Sequence, residues 1–403
     1  MQIVLYDNDL SRKKLYPLAL TRPVSNLRVG ILTIDEKWRK YFNVPVSFVT
    51  EDHLIEKYPL NKDVTGAVLL IRGNILPDEK LCEHIRALSL GEALVWQEEL
   101  IAFKTEVSDL AVLSSFHFKD LDTEDIKLVY YQESINRIEH PEDIFKNNGE
   151  AIKNDFELLT KGRVSAPLSK TNHVLGDYPI FLEEGVNAEF ASFNTSNGPI
   201  YLGNSSQVWE GSHIRGPFAL GDHSIVKMGT RIYSNVSVGP YCTVGGELNT
   251  SVIWGNSNKG HDGYMGSSVV GEWCNWGADS NNSNMKNNFK NVRLYDYELE
   301  DFRDTGLQFC GVIMGDYGRC AINTAFNTGT VIGVSVSVFG VGIPPAFIPD
   351  FSWGSRDGFT SYEMEKMFQT AELFFQRRSC KFDEIEKNLL KSVYDLTENY
   401  RNY

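Results

Sequence analysis

Hydrophobic residues recur through the middle of this chain with a period that neither a helix nor an ordinary strand produces. Every sixth position from Leu202 is aliphatic: Val208, Ile214, Leu220, Val226, Ile232, Val238 and Val244. A second run carries Met314, Cys320, Phe326, Ile332 and Val338. Helices repeat at about 3.6 residues and strands at about 2. A six-residue period instead predicts a parallel β-helix, in which each flat face takes one hexapeptide. Three hexapeptides make one triangular coil, and each aliphatic residue points inward, where neighbouring coils bury one another.

The pattern differs on either side. In the first part, "QIVLYD", "VSFVT" and "GAVLLIRG" are short apolar runs ending in polar or turn residues, as buried strands do. "PDEKLCEHIRAL" opens with proline and acids and continues with apolar residues at helical spacing. Alternating strands and helices predict an α/β domain with a largely parallel sheet. "NRIEHPEDIFKNNGEAIKNDFELL" reads as a helical bridge. After the repeats come an aromatic and glycine loop, "FSWGSRDGF", and two amphipathic helices within "TSYEMEKMFQTAELFFQRRSCKF" and "DEIEKNLLKSVYDLTENY". Such a tail can cap the open end of a β-helix. The chain therefore divides into an α/β domain over 1–155, a β-helix over 156–348 and a loop with a helical tail over 349–403.

Composition narrows the partners. Acidic residues outnumber basic ones by 53 to 39, a formal charge of −14. That balance excludes the basic footprint a nucleic acid or an anionic membrane needs, while leaving small anionic substrates open. The most membrane-like run, "VIGVSVSVFGVGIPPAFI", is broken by glycine, serine and a proline pair and alternates as strands do. The N-terminus lacks a secretory layout. Six cysteines are scattered without a CxxC pair, which predicts buried, reduced thiols in a cytoplasmic protein.

Within the repeats, "SNKGHDGYMG" places His261 between glycine and aspartate. Many hexapeptide β-helix proteins are acyltransferases that use a coenzyme A thioester. That chemistry needs a base to deprotonate an amine or hydroxyl and a donor for the oxyanion. Histidine suits the base, since its ordinary pKa lies near about 6.5. A metal site is the rival for such a fold, but His213 and His223 are ten residues apart and neither pairs with His261 across an eighteen-residue coil.

The segment from Arg231 to Asn284 resembles the acetyltransferase half of the GlmU family, bifunctional enzymes that make UDP-N-acetylglucosamine. The matching positions are Gly260-His261, Tyr264, Asn275 with Gly277-Ala278, and Asn284. The chain is more similar still to an alternative GlmU-like family, through "GGE", "SNKGHDG", "GEWCNWGA", "NNS", "FSWG" and the pair Arg377-Arg378. The resemblance implies a left-handed parallel β-helix and a homotrimer. It makes His261 the base that deprotonates the amine of glucosamine-1-phosphate. Arg231 would hold the sugar phosphate, and Tyr264 and Asn275 the sugar and its phosphate. Gly277, Ala278 and Asn284 would lie near acetyl-CoA. A phosphate-binding lysine of the family falls on Asn249, so Lys259 or Lys286 would stand in for it, with Lys286 also placed beside acetyl-CoA.

"LYPLALTRPVSNLRVG", residues 15–30, resembles the proline- and glycine-containing stretch of sugar-1-phosphate nucleotidyltransferases, which have a Rossmann-like domain. Thr21, Arg22 and Pro23 fit that stretch, and Arg12, Arg22 or Arg28 would supply its cation. "VLLIRGNILPDEKL" resembles the strand that presents a Gly-Asp metal ligand, which has become Gly73-Asn74. Asp7, Asp9 or Asp78 would then hold Mg²⁺. The expected function is thus acetyl transfer from acetyl-CoA to glucosamine-1-phosphate and uridylyl transfer from UTP, giving UDP-N-acetylglucosamine. Two alternatives stay open: a nucleotidyltransferase using UTP or dTTP with the β-helix as a trimerisation scaffold, and a non-catalytic assembly protein.

Overall fold

The computed structural model of the protein describes residues 2–7, 12–61, 66–107 and 126–403. They form two compact units. One comprises Met1–Leu15, Ala19–Leu27 and Leu32–Glu139, the other Tyr16–Leu18, Arg28–Ile31 and His140–Tyr403.

The first unit is built on a six-stranded sheet. Its strands are β1 (Gln2–Tyr6), β2 (Val46–Val49), β3 (Gly66–Arg72), β4 (Glu92–Trp96), β5 (Glu99–Val107) and β6 (Lys127–Tyr130), in the order β2-β1-β3-β5-β4-β6. β5 runs against β3 and β4, and the other pairs are parallel, which gives the largely parallel sheet expected. Helix α1 (Ile34–Phe42) starts in a capping box of Thr33 and Glu36. Helix α2 (Glu79–Ala87) starts on Asp78, whose carboxylate accepts the Leu81 N–H at 2.8 Å. The chain passes from β1 to β2 on one side and then to β3 on the other, so the connections part at the carboxyl ends of these strands.

The second unit is a parallel β-helix. Its short strands stack into three sheets. Face A has six strands, from His173–Leu175 to Tyr264–Gly266. Face B has nine, from Ile180–Leu182 to Phe347–Ile348. Face C has ten, from Asn187–Ala188 to Gly358–Ser361. Six-residue faces, eighteen-residue coils and two- to three-residue strands are the make-up of the left-handed hexapeptide β-helix. All thirteen inward positions read from the sequence are at most 6% exposed, and all belong to one apolar core. At the corner between faces B and C, Ser205, His223, Tyr241, Asn256, Trp273, Tyr317, Ser335 and Phe351 all have φ between 54° and 63°. Aromatic residues seldom adopt that left-handed conformation; the stacked coils impose it.

The repeat slips after Val244. Fifteen residues, not eighteen, separate Val244 from Lys259, its neighbour in register on face C. Two coils later, an antiparallel hairpin of Arg293–Asp296 and Asp301–Asp304 is inserted. The bridging segment forms α3 (Pro141–Thr160), which lies along face B. Its Asn148 accepts from Ser237 Oγ at 3.0 Å and donates to the Asn235 carbonyl at 3.0 Å.

The tail departs from a simple end cap. Ser352–Ser355 adds a strand to face C and folds back on Gly358–Ser361. Helix α4 (Met364–Gln376) instead docks on the flank, where Phe375 stacks on Trp273 with centroids 3.7 Å apart. Helix α5 (Glu384–Leu396) follows, its Glu386 accepting from Tyr317 Oη at 3.1 Å. Five cysteines are buried and free, as expected; Cys380 is exposed. Among the described residues no helix is long and apolar enough to cross a membrane.

Candidate active site

A groove of about 730 Å³ runs along face C, floored by outward residues of successive coils and walled by the end of α4. Its lining includes His261, Asn275, Gly277 and Ala278. Four cations line it as well, Lys227, Arg319, Arg377 and Arg378, and no carboxylate does. In a chain of net charge −14, such a concentration of one sign marks a place for an anion.

The coil register sets the spacing. With strands about 4.8 Å apart, Arg319 lies two coils, roughly 10 Å, to one side of the His261 coil. Lys227 lies two coils to the other side. Arg319 is half-buried, and its guanidinium sits 4.8 Å from the Phe374 ring, held by no hydrogen bond among the described residues. Burial lowers its pKa from the usual arginine range. Arg378 donates to Asn258 Oδ1 at 2.8 Å, but its Nε is buried and unpartnered. These are donors aimed at a group that the protein itself does not supply.

Gly277 lets the next coil pack closely under the floor. A Cβ there would meet the Ala321 carbonyl carbon at 2.3 Å. Its N–H is spent on the Cys320 carbonyl at 3.1 Å. The Ala278 N–H, by contrast, has no partner among the described residues and is the one available to an oxyanion. His261 is exposed on the loop between faces C and A, and its imidazole makes no hydrogen bond to the described residues.

The other expected residues gather around the corner, on face A. Arg231, Glu247 and Tyr264 stand in register on successive coils. Asn284 donates to the Tyr264 hydroxyl at 3.2 Å, and Asn249 also bonds to it. Burial pushes the Tyr264 phenol up, against those two hydrogen bonds. Glu247 lies between Arg231 and Tyr264 and approaches the guanidinium at 3.7 Å.

Several placements therefore differ from the sequence reading. Asn275, expected with the sugar on Arg231 and Tyr264, lines the face C groove instead. Asn284, expected with Gly277 and Ala278, is bonded to Tyr264 on face A. Lys286 donates to the Asn291 carbonyl at 2.8 Å, outside the groove lining. Lys259 does not face a substrate phosphate: it is 3% exposed, and its ammonium donates to the His261 carbonyl at 2.7 Å and the Asp262 carbonyl at 3.3 Å. Lys227 and Arg319 were missed. Each flanks an inward residue, Val226 or Cys320, and so points outward, a signal the six-residue register contains.

In the first unit, Asp7 and Gly73-Asn74 meet at the carboxyl ends of β1 and β3, where the Gly73 N–H donates to the Tyr6 carbonyl at 2.8 Å. Thr21, Arg22 and Asn74 are buried there. One Asp7 oxygen accepts from buried Arg12 and from the Val24 N–H at 2.7 Å, while its other oxygen and Asn74 Oδ1 are buried without partners. Arg12 neutralises the charge that Mg²⁺ would require of Asp7, Asn74 is neutral, and Asp78 is committed to capping α2. The described residues thus do not fit a Mg²⁺ site, and no three of their His, Cys, Asp or Glu side chains come together for a metal. Asp9 lies outside the described residues. Arg28 falls in the second unit, donating to the Ile31 carbonyl.

Residues 3–164 match the model of a family described as sugar nucleotidyl transferase. A stretch of 87 residues is 31% identical to the bifunctional protein GlmU of Methanocaldococcus jannaschii, covering 22% of this chain and 21% of that protein. The match thus spans about a fifth of that relative. Among solved structures, the chain is similar to an Arabidopsis UDP-N-acetylglucosamine acyltransferase, at 14% identity and a TM-score of 0.32, covering 58% of this chain and 82% of that one. It is also similar to a hexapeptide transferase family protein from Anaplasma phagocytophilum, at 12% identity and a TM-score of 0.21, covering 57% and 92%. The fold itself stands on the strand pairing described above.

Proposed function

We propose that this chain is a transferase of sugar-nucleotide biosynthesis whose β-helix moves an acetyl group from acetyl-CoA to the amine of glucosamine-1-phosphate. The observation that carries this reading is the face C groove, with four cations, no carboxylate, and His261 on its wall. A thioester donor with phosphates at one end suits it. The phosphates go to Arg319, and the thioester reaches the His261 coil roughly 10 Å away, where Arg378 is bonded to Asn258.

His261 takes a proton from the sugar amine as the nitrogen attacks the thioester carbonyl. The Ala278 N–H receives the oxygen that becomes negative. A carbon–nitrogen bond forms, the carbon–sulfur bond breaks, and the thiolate leaves with the proton from the imidazolium. The face A residues Arg231, Tyr264, Asn249 and Asn284 are placed to orient the sugar. In this reading the first unit, supported by the family match over residues 3–164, transfers uridylyl from UTP to the acetylated sugar phosphate, with pyrophosphate as the leaving group. The homotrimer belongs to the same reading.

The test is release of free thiol from acetyl-CoA by the purified protein given glucosamine-1-phosphate, with His261→Ala alongside. Release that is lost in a folded His261→Ala protein is the expected result. Undiminished release in that variant would remove His261 from the reaction, and no release from the unaltered protein would overturn the acetyl-transfer reading.

A further inference from the structure

Lys259 occupies a position that its neighbours give to apolar residues. On face C the inward column runs Ala188, Val208, Val226, Val244, Lys259, Trp276, Cys320 and Val338. Lys259 is the only charged residue in it. Its stem passes through the core and its ammonium emerges under the 260–263 loop. Burying an ammonium is costly unless its donors are used. Here they are used on the carbonyl oxygens of His261 and Asp262.

Beyond His261 the Asp262 carbonyl also accepts from the Asp279 N–H and the Gly263 carbonyl from the Glu247 N–H, both at 3.1 Å, but among the described residues the His261 carbonyl has only the ammonium, and its ring is bonded to nothing. Gly263, two residues on, has φ of 113°, and a Cβ there would meet the Ser280 carbonyl oxygen at 2.1 Å. The loop is therefore confined at Gly263 by close backbone approach, and at His261 by the ammonium beneath it.

We propose that Lys259 is a positioning residue for His261, a buried ammonium that fixes the backbone of the base and so aims its imidazole along the groove. The inference rests on the acetyl-transfer reading only for what the aimed imidazole does; the positioning itself can be observed without turnover. The charge on Lys259 also makes the aim depend on pH. Burial pushes its pKa down to about 8, against the favourable charges of Asp262 and Asp279, while Arg231 opposes the charged form. The native state thus gives up a proton at about pH 8 that the unfolded chain holds to near 10.5. Between those values the unfolded state binds more protons, so this group makes stability rise with pH. The charge-assisted bonds to the loop weaken over the same range. A rise in stability with a fall in activity is what a purely structural lysine would not give.

The experiment uses the full chain and Lys259→Met, which keeps length and apolar character and removes the ammonium. The unaltered protein should lose turnover as pH passes about 8. Lys259→Met should show kcat lower by roughly 10- to 100-fold at neutral pH, KM little changed, no such alkaline limb, and an unfolding midpoint no lower than that of the parent. The imidazole signals of selectively labelled protein, with His261 identified by its loss in His261→Ala, supply the readout independent of activity. The His261 signal of the parent should shift as pH passes about 8 and should not do so in Lys259→Met. Unchanged kcat in Lys259→Met, or a His261 signal indifferent to that pH step in the parent, overturns the positioning role. A Lys259→Met protein that fails to fold shows a structural role only if the parent's His261 signal is also indifferent. Absence of acetyl transfer with the His261 response intact would sink the acetyl-transfer reading and leave the positioning role standing.

Discussion

Arg319→Met separates ligand binding from stability, and the structure says which way each should move. The guanidinium is desolvated, has no hydrogen-bonded acceptor, and is offset by one cation–π contact with Phe374 at 4.8 Å. Removing it forfeits that contact, worth about 0.5–2 kcal/mol, and also removes an unpaired charge from a half-buried site, a cost of similar or larger size. The free protein should therefore unfold at a midpoint equal to the parent's or slightly higher. The ligand-bound protein behaves oppositely. A hydrogen bond to a charged group contributes about 1.5–3 kcal/mol, so loss of Arg319 should weaken acetyl-CoA by roughly 10- to 150-fold. At a ligand concentration near 100 times the parent's Kd, binding stabilises the parent by about 2.7 kcal/mol. A variant weakened 30-fold would retain about 0.9 kcal/mol by the same relation. The assay is thermal unfolding with and without acetyl-CoA, together with KM for acetyl-CoA. A variant that is markedly less stable when free, and is stabilised by acetyl-CoA as strongly as the parent, would refute the argument: Arg319 would then belong to the scaffold and not to an anion site.

Two other substitutions test the groove and the core. Gly277→Val should abolish acetyl-CoA binding and lower stability together, because the Ala321 backbone lies 2.3 Å from the new Cβ; binding retained in thermal-shift titration would move the donor elsewhere. Asp350 is fully buried, and burial raises its pKa to about 6 against hydrogen bonds from the Val334 N–H and Tyr297 Oη. The native state then holds a proton that the unfolded chain releases near 3.8. Stability from this group is full below that value and is lost as pH rises through about 6, a term of roughly 3 kcal/mol. Asp350→Asn keeps one acceptor oxygen for the Val334 N–H and offers an amide N–H to the Tyr297 oxygen, and should flatten that slope in denaturant titrations across pH; an unchanged slope would remove Asp350 as its origin.

How much of this was legible in the sequence differs between the two units. In the first, the apolar runs gave β1, β2 and β3, and "PDEKLCEHIRAL" gave α2, although Asp78 was read as a metal ligand and not as its cap. The roles at the strand ends were not legible. Nothing in "DNDLSRKK" says that Arg12 pairs with Asp7, because that pair is made only in the folded unit. A carboxylate that looked available for a cation was already neutralised by tertiary structure, and Asp78 looked acidic and free for the same reason that makes it a good cap.

In the β-helix the reverse holds, and the reason is instructive about where to look for a site. A strict period fixes direction: once Val226 and Cys320 point inward, Lys227 and Arg319 must point outward on the same face. The groove was therefore encoded wherever the period survives. It fails between Val244 and Met314, where the inward residues include Lys259, Trp276 and Asn282 and the coil shortens to fifteen residues. Across that slip the roles of Asn275 and Asn284 were taken from the resemblance alone, and the structure puts Asn275 on face C and Asn284 beside Tyr264. The shortening falls between Val244 and Leu248, whereas the turn from Lys259 to Met265 keeps six residues; its loop at Gly260–Gly263 closes over a lysine that a regular repeat would never place in the core. Local rules are broken there at a cost in stability, and such breaks persist where something other than stability is selected. His261 sits on that break, which is a stronger argument for its role than its identity as a histidine.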